Sequence, residues 1–292
     1  MSLLKSIRKH KWRYLAFLLG FALFVYPSAL LIRGAFFLQG SSAMPDLHKA
    51  CYRMPFDWIA GGKFASFDGR IFLMFFLGSV LLTAFFFGPL FCGWLCPVGS
   101  STEVISKPVP GKIQIDLHRK FNPAVLRYGF LGSFVLVSIL VAFSSLGLAS
   151  ICCRYCASSQ LQNLVNGIFW PSTLSYWHSG GIMVIGAWLV LGGVFWYGGR
   201  GWCLYGCPLG AVSNLLHAIG SKLGFTYKVK HDAAHCTKCG KCEKVCPSWA
   251  INRQAEDVSI NRSMCTACLE CVKVCDQRCY SYKRGKINAK SH

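Results

Sequence analysis

Two stretches near the C-terminus, CTKCGKCEKVCP at residues 236–247 and CTACLECVKVCD at residues 265–276, decide the fold of this part of the chain. Each spaces its cysteines as C-x2-C-x2-C-x3-C, and a proline follows the first run. In such paired runs, three neighbouring thiolates hold one [4Fe-4S] cluster and the fourth thiolate binds the other cluster. The spacing therefore predicts one cluster on Cys236, Cys239, Cys242 and Cys275, and a second on Cys265, Cys268, Cys271 and Cys246.

Zinc is the competing interpretation of these cysteines, because zinc also accepts four thiolates. Zinc motifs usually pair C-x2-C units across a longer loop, so the spacing here favours iron-sulfur clusters. Asp276 stands where a second proline is expected, and Cys279 is surplus to the eight ligands, which makes it a candidate packing thiol. From about Lys228 onward the sequence becomes charged and cysteine-rich. We predict a small α+β ferredoxin-like domain over residues 228–292.

The rest of the chain, residues 1–227, has the composition of a membrane protein. Of the 292 residues, 53% are hydrophobic and only 14% are charged. Apolar runs of about 20 residues can cross a bilayer as helices. Four are predicted to do so, over residues 14–32, 71–91, 128–151 and 180–197. The predicted fold class is thus an α-helical membrane protein with four transmembrane helices in two pseudo-repeats, followed by the ferredoxin-like domain.

Charge indicates the orientation. The segment before the first span carries Lys5, Arg8, Lys9, Lys11 and Arg13, which under the positive-inside rule holds the N-terminus in the cytoplasm. Four crossings return the C-terminus to the same side of a bacterial inner membrane. The formal net charge of +20 fits a surface beside anionic lipid, and no nucleic-acid-binding motif accompanies it.

A duplicated motif follows the second and fourth spans. Residues 91–99 read FCGWLCPVG and residues 202–210 read WCLYGCPLG, so both contain C-x3-C-P followed by Val or Leu and then Gly. In a helix, cysteines four positions apart face the same side, whereas the prolines also allow a turn at each second thiol. Three interpretations remain: packing thiols, a redox-active or transiently metal-binding pair, and a shared metal or iron-sulfur site. The residues concerned are Cys92, Cys96, Cys203 and Cys207.

Four further cysteines are predicted to lie on the outer face: Cys51, Cys152, Cys153 and Cys156. Disulfides persist there, so we predict disulfides between the outer loops, with an outer metal site as the alternative. Asp57 and His48 are predicted to accept protons from a quinol, because quinol loses protons as it loses electrons. The alternative interpretation is that both are ordinary solvated loop residues.

Four spans, two C-x3-C-P motifs and two ferredoxin runs together resemble the NapH/MauN family of polytopic ferredoxin-type membrane proteins. The resemblance implies a quinol dehydrogenase component that passes electrons between the quinone pool and a periplasmic oxidoreductase. It also implies a periplasmic ferredoxin-type protein, a cytochrome or an oxidoreductase as partner. Cys152, Cys153 and Cys156 depart from the family pattern. The alternative function is a thiol-based or metal-handling factor that matures a periplasmic redox enzyme, so whether the chain is itself an enzyme stays open.

Overall fold

The computed structural model describes residues 10–25, 28–38, 71–116, 122–143, 156–169, 193–253 and 258–285, and the single positions 40, 186 and 189. Up to Gly220, the described residues form mainly helices. In chain order these are α1 (Lys11–Phe24), α2 (Leu30–Leu38), α3 (Ile71–Phe87), α4 (Pro97–Ser106), α5 (Pro123–Phe143), α6 (Ala157–Phe169), α7 (Gly201–Tyr205) and α8 (Pro208–Gly220). A π-helical turn, Phe91–Leu95, precedes α4.

The predicted first span is divided into two helices. α1 ends at Phe24 and α2 begins at Leu30, and Pro27 lies between them in the sequence. Proline lacks a backbone N–H and clashes with the preceding helical turn, which accounts for a break at this point. α2 continues to Leu38, beyond the residue at which the first span was predicted to end.

Among the described residues, one helix is long and apolar enough to cross a membrane, over Pro123–Leu140. Met74–Phe87 is apolar but shorter. Most of residues 180–197 lie outside the described residues, so the fourth predicted span is not tested. The four-span arrangement therefore stays a prediction.

Large apolar side chains are exposed along these helices. On α1, Trp12 is 68% exposed and Leu18 is 70% exposed, while on α5 Val125 is 68% exposed. Only 17% of the apolar window of α5 is buried. A water-facing surface rarely carries an apolar area of this extent, so these faces are of the kind that contacts lipid or another protein.

The helices pack closely at glycines. A Cβ atom on Gly220 of α8 would lie 2.4 Å from the carbonyl oxygen of Phe85 in α3, and one on Gly20 of α1 would lie 1.9 Å from that of Leu95. Only glycine permits these backbone approaches. They bring α1 against the first C-x3-C-P motif and bring α8, which starts in the second motif, alongside α3.

The C-terminal part is the predicted small α+β domain. Strand β1 (Tyr227–His231) pairs antiparallel with β4 (Tyr280–Arg284), and β2 (Ile251–Arg253) pairs antiparallel with β3 (Val258–Ile260). Short helices α9 (Lys241–Val245) and α10 (Glu270–Val274) follow the two cysteine-rich loops. The core of the domain contains Val229, Trp249, Ile251, Met264 and Tyr280, and Leu204 from α7.

The two cysteine runs share one backbone conformation. All five non-glycine residues with positive φ in the described part of the chain lie in or just after these runs. The two runs are offset by 29 residues, which is the separation of Cys236 and Cys265. At the same offset, positive φ values recur in pairs: Lys238 (54°) with Ala267 (49°), Gly240 (73°) with Leu269 (61°), and Trp249 (50°) with Arg278 (52°). Such conformations are costly for side-chain-bearing residues, and they persist mainly at functional sites.

Candidate functional site

The structure brings the first predicted set of cysteines together. Cys236, Cys239 and Cys242 line one cavity of about 190 Å³, and Cys275 reaches the same cavity from the other run. The hydroxyl of Tyr280 donates to the Sγ of Cys242 at 3.3 Å. Cys239 is exposed, so this cavity lies near the surface of the domain.

The second predicted set surrounds a smaller cavity. Cys265, Cys268 and Cys271 line it, and Cys246 completes the set from the first run. This set is more enclosed than the first, because Cys246, Cys265 and Cys268 are buried. Each cavity is therefore lined by the four cysteines of one predicted ligand set, with the fourth cysteine coming from the other run.

Several features of these sites fit iron-sulfur clusters. Each set of four cysteines lines a cavity, as a cluster larger than a single metal ion requires. Left-handed residues such as Lys238 and Ala267 form turns of the kind whose N–H groups surround anions, including iron-sulfur clusters. The Oγ1 atom of Thr266, which lines the second cavity, is buried without a hydrogen-bond partner. A cluster sulfur could accept a hydrogen bond from this hydroxyl group.

The exchange of cysteines makes a direct prediction. Cys275→Ala is expected to remove the first cluster and Cys246→Ala the second, although each residue lies in the run that supplies three ligands to the other cluster. Iron analysis and electron paramagnetic resonance (EPR) spectra of the dithionite-reduced protein will show which signal is lost. If Cys275→Ala instead removed the cluster held by Cys265, Cys268 and Cys271, the assignment would be wrong.

Thr266 also makes a prediction. A hydrogen bond contributes about 0.5–1.5 kcal/mol net, which corresponds to about 20–60 mV for a one-electron couple. Donors to cluster sulfurs favour the reduced, more negative state. Thr266→Val should therefore make the potential of the second cluster more negative by this amount in a redox titration. Thr237→Val, at the matching position of the first run, should leave that potential unchanged.

Cys279 lies on the wall of the first cavity. Its side chain is buried, and its backbone N–H donates to the Sγ of Cys275 at 3.3 Å. This position is compatible with the packing thiol predicted from the sequence.

The two C-x3-C-P motifs adopt a turn at the second cysteine. Cys96 and Cys207 have extended conformations, with φ/ψ of −62°/116° and −85°/111°, and each is the N-cap of a helix that begins at the following proline. A residue before proline is disfavoured in the α conformation, and proline is well suited to the first helical position. Of the two predicted geometries, the structure therefore has the turn.

The four motif thiols lie close to one another. The Cys92 thiol is within electrostatic range of Cys96 and Cys207, and the Cys203 thiol is within range of the other three. We call Cys92, Cys96, Cys203 and Cys207 the four-thiol unit. The final glycine of the first motif is needed here, because a Cβ on Gly99 would lie 3.2 Å from the Sγ of Cys203.

Burial dominates the chemistry of the four-thiol unit. It raises the pKa of Cys92 and Cys203 well above the usual value and that of Cys207 to about 12, and the neighbouring thiols raise them further. Thiols in this state are poor nucleophiles, because the thiolate is the reactive form. Arg127 lies beside them and donates from Nη2 to the carbonyl oxygen of Cys203 at 2.9 Å.

The four-thiol unit contacts the loop of the second cysteine set. The Nε1 of Trp94 donates to the carbonyl oxygen of Ala267 at 3.1 Å. A Cβ atom on Gly93 would lie 2.3 Å from the carbonyl oxygen of Thr266. From the second motif's helix, the Nδ2 of Asn214 donates to the carbonyl oxygen of Cys265 at 3.1 Å. The two candidate centres are therefore held by backbone segments in direct contact.

A buried ionic network holds this arrangement. Both carboxylate oxygens of Glu103 accept from Arg13, at 2.8 and 2.7 Å, and one also accepts from the Nε of Arg200 at 2.7 Å. Arg13 also donates to Glu270 of α10 at 2.8 Å, and Arg200 donates to the carbonyl oxygen of Cys92. The sequence analysis did not identify this network, which joins α1, both motifs and the ferredoxin-like domain.

Cys156 is the one cysteine of the predicted outer group that lies among the described residues. It directly precedes α6, and it is close enough to Cys207 that its charge would raise the pKa of that thiol. Ala157 packs in one cluster with Val98 and Cys96. The structure thus places the Cys156 thiol near the four-thiol unit, and an outer disulfide or an outer metal site at this cysteine stays a prediction. Cys51, Cys152, Cys153, His48 and Asp57 lie outside the described residues.

Family models match the regions that contain the two groups of cysteines. A 4Fe-4S binding domain model matches residues 70–120 and 180–226, which contain the two C-x3-C-P motifs, and a 4Fe-4S dicluster domain model matches residues 228–276. No solved structure matches the chain.

Two curated relatives extend this result. YccM of Escherichia coli K12, named for electron transport, is 26% identical over 163 residues, which are 54% of this chain and 41% of YccM. The methylamine utilization ferredoxin-type protein MauN of Methylobacillus flagellatus is 24% identical over 181 residues, which are 59% of this chain and 53% of MauN. The chain thus spans about half the length of these relatives. The matches confirm the predicted resemblance to the NapH/MauN family of ferredoxin-type proteins, and the family models identify 4Fe-4S binding domains in this chain.

Proposed function

We propose that this protein is an integral membrane component of a quinol-oxidising system, passing electrons between the quinone pool and a periplasmic oxidoreductase. In this proposal four helices cross the bacterial inner membrane and both termini are cytoplasmic. The exposed apolar faces of α1 and α5 support the membrane location. The periplasmic partner is a ferredoxin-type protein, a cytochrome or an oxidoreductase.

The observation that carries the proposal is the contact between the four-thiol unit and the loop of the second cysteine set. Trp94 and Gly93 belong to the first motif, at the end of an apolar helix, and both touch residues between Cys265 and Cys268. The eight ferredoxin cysteines would hold two [4Fe-4S] clusters, which supply one-electron transfer when bound. Residues that would hold redox centres are therefore found from the first motif, just after α3, to the exposed Cys239.

A third centre on the four-thiol unit completes the proposal. Four thiolates are the ligand count of an iron-sulfur cluster, and a 4Fe-4S binding domain model covers both motifs. Arg127 and Arg200 place positive charge beside the site, which would offset the negative charge of a thiolate-bound cluster.

Reduction by a quinol tests the proposed function. Protein purified anaerobically in lipid nanodiscs is expected to have its clusters reduced by menadiol, as measured by bleaching of the visible absorbance and by EPR. Dithionite defines the fully reducible amount. If the clusters respond to dithionite but not to menadiol, the protein does not accept electrons from quinol and this function is rejected.

The maturation alternative rests on a different observation, the position of Cys156. A fifth thiol beside Cys207 exceeds the need of one cluster, and an extra soft ligand could pass a metal such as Cu(I) between sites. Titration of the full chain with Cu(I) under a competing chelator would test this function. Binding that is unchanged in Cys156→Ser would reject the role of the fifth thiol.

A further inference from the structure

A cavity of about 450 Å³ lies between the start of α1, the end of α4 and the ferredoxin-like domain. Its walls include His10, Lys107 and Gln114 from the N-terminal part and Lys244 and Val274 from the C-terminal part. Its volume falls within the range of about 300–1,000 Å³ that is typical of small-molecule sites. The cysteines described above do not line this cavity.

The cavity lies at the base of an apolar helix. His10 and Arg13 face it from the start of α1. The opposite face of the same helix exposes Trp12, Leu15 and Leu18, by 68%, 56% and 70%. A tryptophan at the end of such a face is typical of the membrane interface, so the cavity opens close to the level of the lipid head groups.

The polar groups in the cavity match a molecule that gives up protons. The Nδ1 of His10 lies 3.0 Å from the Oε2 of Glu270, and the His10 side chain is only 5% exposed. Arg13 fixes the other oxygen of Glu270, and its guanidinium also binds Glu103. Because Nδ1 of His10 faces the Glu270 carboxylate, a neutral imidazole with its proton on Nδ1 keeps Nε2 as the proton acceptor. Histidine is the side chain best suited to exchange protons near neutral pH.

Cations on two sides supply hydrogen-bond donors. Lys107 and Lys244 line the cavity, and Lys107 also contacts the Tyr14 hydroxyl. Arg13 is the third cation in the wall, and Glu103 and Glu270 are the carboxylates. A carbonyl oxygen that forms when a quinol is oxidised would accept hydrogen bonds from such donors.

The wall facing the ferredoxin-like domain consists of residues adjacent to predicted cluster ligands. Pro247 follows Cys246, Glu270 precedes Cys271 and Val274 precedes Cys275. A ring bound in the cavity would be separated from both clusters by little more than the residues that flank their ligands.

We propose that this cavity binds the head group of a quinol and that His10 accepts the first proton released on its oxidation. The inference rests on the proposed quinol function and locates its site beside the ferredoxin-like domain, with His10 as the proton acceptor in place of Asp57 and His48. Oxidation breaks two O–H bonds and releases two protons and two electrons. The eight ferredoxin cysteines would hold two clusters, which can take up one electron each. The first proton goes to His10 and from there to solvent, and the second follows the same route.

Two variants test the site in the full chain in nanodiscs. His10→Gln keeps a hydrogen-bonding side chain but cannot accept the proton, and is expected to slow cluster reduction by menadiol at least tenfold in stopped-flow measurements. Val274→Phe fills the cavity and is expected to weaken binding of menadione to the oxidised protein at least tenfold, as measured by calorimetry. His235→Gln, at an exposed histidine outside the cavity, is the matched control and should behave as wild type.

Iron content and the dithionite-reducible fraction show that each variant retains its clusters. If menadiol reduces the wild type and both variants stay within twofold of it in rate and in menadione affinity, the quinol site lies elsewhere and only this inference is overturned. If menadiol does not reduce the wild type, the proposed function is rejected and the site with it.

Discussion

Glu103→Ala is expected to destabilise the protein more than any other single change outside the cysteines. Glu103 is 4% exposed, and among the described residues it is the only carboxylate that contacts both Arg13 and Arg200, which are 2% and 1% exposed. Removing one partner of a buried ion pair leaves an uncompensated charge and costs about 3–5 kcal/mol. We therefore expect a large decrease in the midpoint of thermal unfolding and in the yield of folded protein.

Two matched variants separate this effect from a general loss of charge. Glu243→Ala removes a carboxylate that lies 3.6 Å from the partly exposed Arg253, so it should change the stability by less than about 1 kcal/mol. Glu103→Gln keeps an acceptor oxygen but not the charge, and should give an intermediate midpoint. Equal midpoints for Glu103→Ala and Glu243→Ala would show that the network does not stabilise the fold.

The network also determines how the stability of the protein changes with pH. Burial alone would raise the pKa of the Glu103 carboxyl, but the Arg13 and Arg200 guanidiniums hold it below its usual value. A carboxyl whose pKa is lowered on folding stabilises the protein above its unfolded pKa, and that contribution is lost as the pH falls through the folded value. Acid should therefore weaken wild type more than Glu103→Gln, in which position 103 does not titrate.

The cysteine pattern was sufficient to predict the ferredoxin-like domain, because cluster ligands must come from short loops at fixed spacing. Local sequence also limited the geometry of the C-x3-C-P motifs, because proline restricts the preceding cysteine to a few conformations. The spacing alone could not decide between helix and turn there, because both bring the thiols to one side. The structure has the turn, with Cys96 and Cys207 as N-caps.

The ionic network could not be predicted in this way. Arg13 and Glu103 are 90 residues apart and Arg13 and Glu270 are 257 residues apart, so no local spacing links them. In the sequence, Arg13 was assigned to the positive segment before a membrane span, where arginine usually faces solvent or lipid head groups. Cys156 was grouped with its neighbours Cys152 and Cys153 from chain proximity, and its position near Cys207 is likewise a contact that spacing does not indicate.

Cys92→Ser and Cys203→Ser are expected to remove a complete metal centre. A protein with clusters on the four-thiol unit and on both ferredoxin sets would contain about twelve irons, and each variant about eight, because a [4Fe-4S] cluster requires four ligands. Serine has almost the same size as cysteine, so packing around Gly99 and Arg127 should be preserved. Iron and acid-labile sulfide analysis of anaerobically purified protein measures the difference.

Cys279→Ser is the control for this experiment, because it removes a buried thiol next to the first cysteine set that is not a predicted ligand. Its iron content should equal that of wild type. Cys156→Ser tests whether the fifth thiol belongs to the centre, and unchanged iron would leave the four motif cysteines as its ligands. About eight irons in wild type and in both motif variants would show that the four-thiol unit binds no cluster.

The position of the unit adds a second, independent readout. Because Gly93 and Trp94 contact the backbone of Thr266 and Ala267, a centre on the four-thiol unit would lie next to the second cluster. Paramagnetic centres this close broaden and split each other's EPR signals. Cys92→Ser should therefore sharpen the signal of the second cluster as well as lower the iron content, whereas a loss of iron caused by misfolding would weaken the signals of both ferredoxin clusters. Sharpening without loss of the second cluster would locate the third centre between the N-terminal helices and the ferredoxin-like domain.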